Sequence, residues 1–320
     1  MAGTSSSTAS FISYDLRPAK QSERRIILEL LQTAGDCGIP VSSYRYVGMG
    51  ANRFYDFLLI HKYLGISGMV SLEHDPKMYK RAEYNCPYDF IDIQNKGSSD
   101  FLSTDNFEDG SVVWFDYDGG IGPNITQDIA DLGTKLKLND FCFVTVYAGP
   151  PRLIEKFNDQ ESYEWITDTF GILAGDVKIE DVQKSNFSLA VHKIVMAAFQ
   201  NAFSTRRDGQ FFPFLQIEYS DSVKMLTIGG SLLATGQKSD IRKKIQDRMP
   251  FLMGKEPKKY KIRSLNLTDK ERFLFDRAST KNDRRCSERR QLKSFGFKDS
   301  EITAYGDILR YMPRYVETIF

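Results

Sequence analysis

The chain has little of what would commit it to most chemistries. Four cysteines (Cys37, Cys86, Cys142 and Cys286) are spread through 320 residues without a CxxC pair. That spacing argues against a disulfide framework and a Cys-based zinc site, and it suits a reducing cytoplasm. Cys142, inside FCFVTV, reads as a small buried hydrophobe. Only three histidines occur (His61, His74 and His192), and none joins Cys or Asp at metal-ligand spacing, so no metal is expected. There is no Gly-x-Ser-x-Gly nucleophile turn and no Walker loop. No apolar run approaches the roughly 18 residues of a membrane span, so no membrane partner is expected. The opening MAGTSSSTAS lacks the basic start and apolar stretch of a secretory signal and reads as a disordered lead over residues 1–15.

What is present is an ordinary globular composition with an uneven charge distribution. The net charge is +1, yet residues 255–320 hold 17 Lys and Arg against 10 Asp and Glu, and the rest of the chain is correspondingly acidic. A mildly acidic body therefore carries a basic tail.

Along the body, apolar runs alternate with segments of helical length. YDLRPAKQSERRIILELLQTAG reads as a helix entered through Pro18, with Ile26, Ile27, Leu30 and Leu31 at helical spacing. Five strand candidates follow: YRYVGMG, GMVSLEHD, PYDFIDIQ, SVVWFDYD and DFCFVTVY. Their near-continuous apolarity and the helical segments between them imply βαβ units in a parallel sheet covered on both faces. FFPFLQIEYSDSVKMLTIGGSLLA adds two strands joined by a turn near Ser220–Ser222. The expectation is an α/β fold: a seven-stranded, mostly parallel sheet with a terminal antiparallel hairpin. The domain would span residues 16–250, with a helical insert at 151–210. Residues 251–320 would form a small basic helical appendage, in which Thr268 and Glu271 have capping-box spacing.

The order strand, Gly-rich turn, helix, strand, acid between Tyr44 and Asp118 describes a nucleotide-type cofactor site at the carboxyl edge of such a sheet. Gly48 and Gly50 would let the backbone approach a ligand, or would simply make a tight turn. Glu73, ending SLEHD, has the two oxygens needed to accept two ribose hydroxyls. An N-cap role is the alternative for it, although Asp75 before Pro76 is itself a good cap. Asp116, Tyr117 and Asp118 end the fourth strand, where a substrate would be met. Asp116 could equally bind cofactor or cap the next helix.

The strand order and the placement of Gly48, Gly50, Glu73, Gly97 and Asp116 resemble the class I, Rossmann-like S-adenosylmethionine-dependent methyltransferases over roughly residues 40–235. The resemblance implies S-adenosylmethionine as cofactor and methyl transfer to an acceptor that these residues do not identify. It implies cofactor contacts from Gly48, Gly50, Asn52, Glu73, Ser98 and Asp116, and acceptor-side or catalytic roles for Asp116, Tyr117 and Asp118. Tyr46 stands where the family's first-loop acid would be, with Asp56 as a substitute. Asn52 stands where the third glycine would be, and Ser98 where the adenine-contacting acid would be, with Asp100 as a shifted substitute. WFDYDGG does not match the Asn/Asp-Pro-Pro-Tyr signature of amino-methylating DNA enzymes. RPAKQSER followed by YRYVGMG is similar, more narrowly, to poorly characterised bacterial methyltransferase-like proteins, some of them tied to phage-defence loci.

A rival reading keeps the fold without the reaction: a non-catalytic nucleic-acid-binding protein using Arg284, Arg285, Arg289 and Arg290 against phosphates. The same arginines also suit a solvated helix face. A dinucleotide-dependent oxidoreductase is a third reading, and GMGANRF lacks the last glycine of that fingerprint. Oligomeric state has no signature in the sequence.

Overall fold

Eight strands make one sheet in the computed structural model, which describes residues 17–107, 110–234, 236–263, 265, 267–281 and 286–313. The strands are β1 (Arg45–Gly48), β2 (Gly68–Leu72), β3 (Ile91–Gln94), β4 (Ser111–Gly120), β5 (Phe141–Tyr147), β6 (Gln210–Ser220), β7 (Lys224–Leu233) and β8 (Tyr260–Lys261). They lie in the order β3-β2-β1-β4-β5-β7-β6-β8. The first five run parallel, and β7 is antiparallel to both β5 and β6, as the hairpin reading requires.

The expected count of seven strands is corrected to eight. β8 pairs parallel with β6, and Ile262 N–H donates to the Glu218 carbonyl at 2.9 Å. Two residues in a lysine-rich stretch are too short to show the alternation that marks a strand. The disordered lead expected at 1–15 lies outside the described residues.

Helices cover both faces. α1 (Pro18–Gly35), α2 (Tyr55–Leu64) and α8 (Gln237–Arg248) contribute to one core, which holds Ile26, Ile27, Leu30 and Leu31. α4 (Ser98–Thr104), α5 (Pro123–Lys135), α6 (Asp159–Phe170) and α7 (Phe187–Phe203) contribute to the other, around Phe115, Ile129, Val144 and Phe199. α3 (Pro76–Asn85) links β2 to β3 and starts on Asp75, whose carboxylate accepts the Lys77 and Met78 N–H groups. The helical stretch expected at 151–210 consists of α6, α7 and three short 3-10 turns. α9 (Asp269–Thr280), α10 (Ser287–Ser294) and α11 (Asp299–Ile308) enclose a small apolar cluster of their own. Thr268 and Glu271 form the expected capping box on α9.

The start of α1 is anchored by the hairpin at the far side of the sheet. The first N–H groups of a helix lack internal partners. Here Ala19 and Lys20 N–H donate to Asp221 Oδ1 and Oδ2, both at 3.0 Å, from the turn between β6 and β7. The hairpin thus fixes α1 across the sheet, with the start of α1 brought to the carboxyl end of β4, where Lys20 meets Asp116.

Candidate active site

A cleft of about 570 Å³ opens at the carboxyl edge of β1 to β4. Gly50, Asn52, Glu73, Ser98, Asp116, Tyr117 and Asp118 all line it, so seven of the eight residues singled out in the body of the sequence converge. Gly48 does not line it. A Cβ on Gly48 would stand 2.5 Å from the Tyr46 hydroxyl oxygen, so this glycine makes room for a neighbouring ring rather than for a ligand. Gly50 does both: it lines the cleft, and a Cβ there would meet Phe54 and Ser71 Oγ at 2.7 Å.

The loop after β1 is held in an unusual shape. Ala51 (φ 47°) and Phe54 (φ 52°) both occupy the left-handed region, which non-glycine residues seldom adopt. Such strain persists where the surroundings over-determine the backbone. Phe54 is fully buried against Phe57, and Gly50 N–H donates to Ser71 Oγ at 3.1 Å.

Tyr46, in the position expected for an acid, is buried edge-on against Phe57. Burial, with Asp56 and Asp116 nearby, pushes its phenol far above the usual range, so it stays neutral. Asp56 is indeed brought to the cleft, paired with Arg24 of α1.

Glu73 directly follows β2 and lines the cleft, and its Oε1 accepts the Asp75 N–H at 2.9 Å. The N-cap position of α3 belongs to Asp75, so Glu73 does not take the alternative cap role. His74, beside it, is exposed.

A fully buried acid that sequence reasoning missed, Asp128 of α5, organises the opposite wall. It accepts the hydroxyls of Ser98 and Tyr117, both at 2.5 Å, and of Ser99 at 2.6 Å. The Ser98 proton is therefore committed to Asp128. Burial and the adjacent Asp128 charge push the Tyr117 phenol far above its ordinary range, and it serves as a hydrogen-bond donor in the wall.

Asp116 and Asp118 part company. A period of two would set them on one face of a regular strand, but the β4–β5 ladder is irregular between Asp116 and Gly120. Asp118 is exposed at the mouth of the cleft. Asp116 turns inward, with Oδ2 2.6 Å from Lys20 Nζ, and Lys20 Nζ also lies 2.9 Å from Glu23 Oε2. Lys20 is 2% exposed and Glu23 fully buried. Burial would strip the proton from Lys20, but the two carboxylates outweigh it and hold the ammonium charged. Thr227 Oγ1 donates to Glu23 and exchanges a 2.7 Å hydrogen bond with Thr145, which accepts from the Trp114 indole at 3.0 Å. Lys20, Glu23 and Arg24 fall within the RPAKQSER segment of the narrower resemblance, which gave them no role, and RPAKQSERR scans as the polar start of an amphipathic helix.

Of the basic-tail arginines, Arg284 and Arg285 lie outside the described residues. Arg289 is 7% exposed and holds α10 to its neighbours through the Ala278 carbonyl and Asp299. Its inward turn corrects its expected place on a phosphate-facing surface, and of the two described arginines Arg290 is the exposed one. Among the described residues there is no His/Cys/Asp/Glu group that could hold a metal, and no helix is long and apolar enough to cross a membrane.

A family model described as "Putative O-methyltransferase" matches residues 12–320. No curated protein matches the chain. Solved structures similar to it include a putative O-methyltransferase from Klebsiella pneumoniae (10% identity, covering 71% of this chain and 85% of that one, TM-score 0.41). The N-methyltransferase NodS from Bradyrhizobium japonicum WM9, in complex with S-adenosyl-L-homocysteine, is another (10%, 68% and 90%, TM-score 0.40). A third is the plantazolicin methyltransferase BpumL in complex with the same compound (9%, 66% and 87%, TM-score 0.37).

Proposed function

The chain belongs to the putative O-methyltransferase family, and we propose that it moves a methyl group from S-adenosylmethionine, bound along the carboxyl edge of β1 to β4, to an acceptor oxygen. The observation that carries this reading is the convergence of Gly50, Asn52, Glu73 and Asp116 on one cleft.

The residues suit that cofactor. A side chain at Gly50 would not fit beside Phe54 and Ser71, so the loop backbone stays bare where a ligand would lie. Asn52 Oδ1 and Arg24 Nη1 are buried polar atoms without a hydrogen-bond partner among the described residues. Glu73 would accept the ribose hydroxyls. Asp100, which lines the cleft, would accept from the adenine amino group. Bound there, S-adenosylmethionine supplies an electrophilic methyl group on a sulfonium.

The chain's own residues then act by positioning. Asp118, at the mouth, would accept the proton of the acceptor hydroxyl. Asp116, paired with Lys20, would face the cationic end of the cofactor. Tyr117 and Asp128 would keep the wall between them rigid. A cytoplasmic location and a bacterial phage-defence setting remain part of the reading, with the four free cysteines favouring the first. We read residues 251–320 as an appendage latched to the body through β8.

A nucleic-acid acceptor is a second reading, favoured by the basic excess of residues 255–320. Duplex binding that falls steeply with salt, and less steeply in Arg290→Glu, would support it. The main reading is tested by melting the protein with S-adenosylhomocysteine. A ligand at 100 times its Kd adds about 2.7 kcal/mol and raises the melting temperature. An unmoved transition at millimolar ligand would count against it.

A further inference from the structure

We infer that Arg24 is the carboxylate anchor of the cleft: its Nη1 receives the carboxylate of the cofactor's amino-acid end, while Asn52 Oδ1 takes the ammonium. The inference rests on the S-adenosylmethionine reading above and assigns a residue from outside the sheet and its loops.

Arg24 is 5% exposed, its Nε donates to Asp56, and its guanidinium lies 5.3 Å over the Tyr55 ring. Arg24 lines the cleft, and its Nη1 is buried with no hydrogen bond among the described residues. Leaving a buried cationic donor unpaired is costly, so the position calls for an acceptor from outside the chain. Asn52 lines the same cleft, and its Oδ1 is a buried acceptor without a hydrogen-bond partner among the described residues. A cation donor and a neutral acceptor together complement a zwitterion, not a simple anion or cation.

The other candidates for the carboxylate are spent or misplaced. Lys20 Nζ is held by Asp116 and Glu23. The Gly50 N–H, in the loop that would cradle this end, already donates to Ser71. Arg53 is exposed, where an ion pair contributes little. Lys96 follows β3, two strands away from β1 in the sheet. Arg24, by contrast, is tied to α2, which follows the β1 loop, and its neighbour Lys20 is tied to the end of β4. That puts Arg24 on the β1–β4 side, opposite the Glu73 and Asp100 side expected to hold the nucleoside.

The test is calorimetry on the full chain with two ligands: S-adenosylhomocysteine and S-adenosyl-3-thiopropylamine, which lacks only the carboxylate. The wild type should prefer the carboxylate-bearing ligand by roughly tenfold to a hundredfold, as for a charge-assisted hydrogen bond. Arg24→Gln should erase that preference while keeping affinity for the decarboxylated ligand within about threefold. Arg24→Gln/Asp56→Asn, which leaves no unpaired acid, and Arg24→Lys, which keeps a cation against Asp56, should read the same way if the single variant unfolds. Asn52→Ala should weaken both ligands alike. No preference in the wild type, a preference that survives in the Arg24 variants, or its loss in Arg53→Gln instead would each overturn the assignment. If the wild type binds neither ligand, the cofactor reading itself fails.

Discussion

Lys20 Nζ stands 2.6 Å from Asp116 Oδ2, which ties the first helix to the end of the fourth strand beneath the cleft. The contact spans two elements that the chain makes far apart and the hairpin turn brings together, since Asp221 caps the same helix end. A buried ammonium between Asp116 and Glu23 sets both the charge at the floor of the site and the seat of α1.

Lys20→Met should therefore be among the most damaging single changes. Removing one partner of a buried ion pair typically costs about 3–5 kcal/mol, because the remaining charges lose their compensation. Urea denaturation should show that loss. A variant within about 1 kcal/mol of the wild type would mean that the pair is unimportant for folding.

Tyr117 and Asp118 should separate cleanly. Tyr117→Phe removes a hydroxyl already committed to Asp128 and should cost about 1–3 kcal/mol of stability, with methyl transfer largely preserved. Asp118→Asn should leave stability within about 0.5 kcal/mol, as expected for an exposed side chain. It should also leave cofactor affinity within about threefold, yet remove turnover by taking away the proton acceptor, a contribution of roughly 10²–10⁴. Turnover by Asp118→Asn with loss in Tyr117→Phe would reverse the roles. The assay requires an acceptor, for which a library of phenols and catechols is a starting set.

Most of the sheet and the seven convergent cleft residues were legible because their signals are local. A continuous apolar run, a glycine pair after a strand and an acid ending the next strand each lie within a dozen residues. Lys20, Arg24, Asp128 and Asp221 were not legible, because each acts through a partner on a distant element, and single polar residues on helices have no pattern that names such a partner. Ser98 shows the consequence. Its position matched an adenine contact, but its hydroxyl is also tied to an acid thirty residues on, which no local pattern shows. β8 was hidden for a different reason: two residues are too short to show alternation, and what anchors them beside β6 is the charge of Glu218 against Lys259 and Lys261.

That anchor predicts an acid dependence. Burial would raise the Glu218 pKa, but hydrogen bonds from Lys261 and Ser188 and the charge of Lys259 outweigh it and hold it at about 2. A depressed carboxyl stabilises the fold above its unfolded pKa of about 4.5, and that stabilisation is lost as pH falls from there towards 2. Allowing for the partial exposure of both lysines, the contribution at pH 7 is about 1–2 kcal/mol. Glu218→Gln should be destabilised by that amount at pH 7 and nearly match the wild type at pH 2. An equal deficit at both pH values would show that the charge is irrelevant there.

Whether the cleft holds the cofactor with Glu73 on its ribose is decided by isothermal titration of the wild type and Glu73→Ala with S-adenosylhomocysteine. The wild type should show saturable one-to-one binding, weakened roughly tenfold to a hundredfold in the variant through loss of a charge-assisted contact to the ribose. Absence of binding by a folded wild type, or equal affinity in the two proteins, would contradict it.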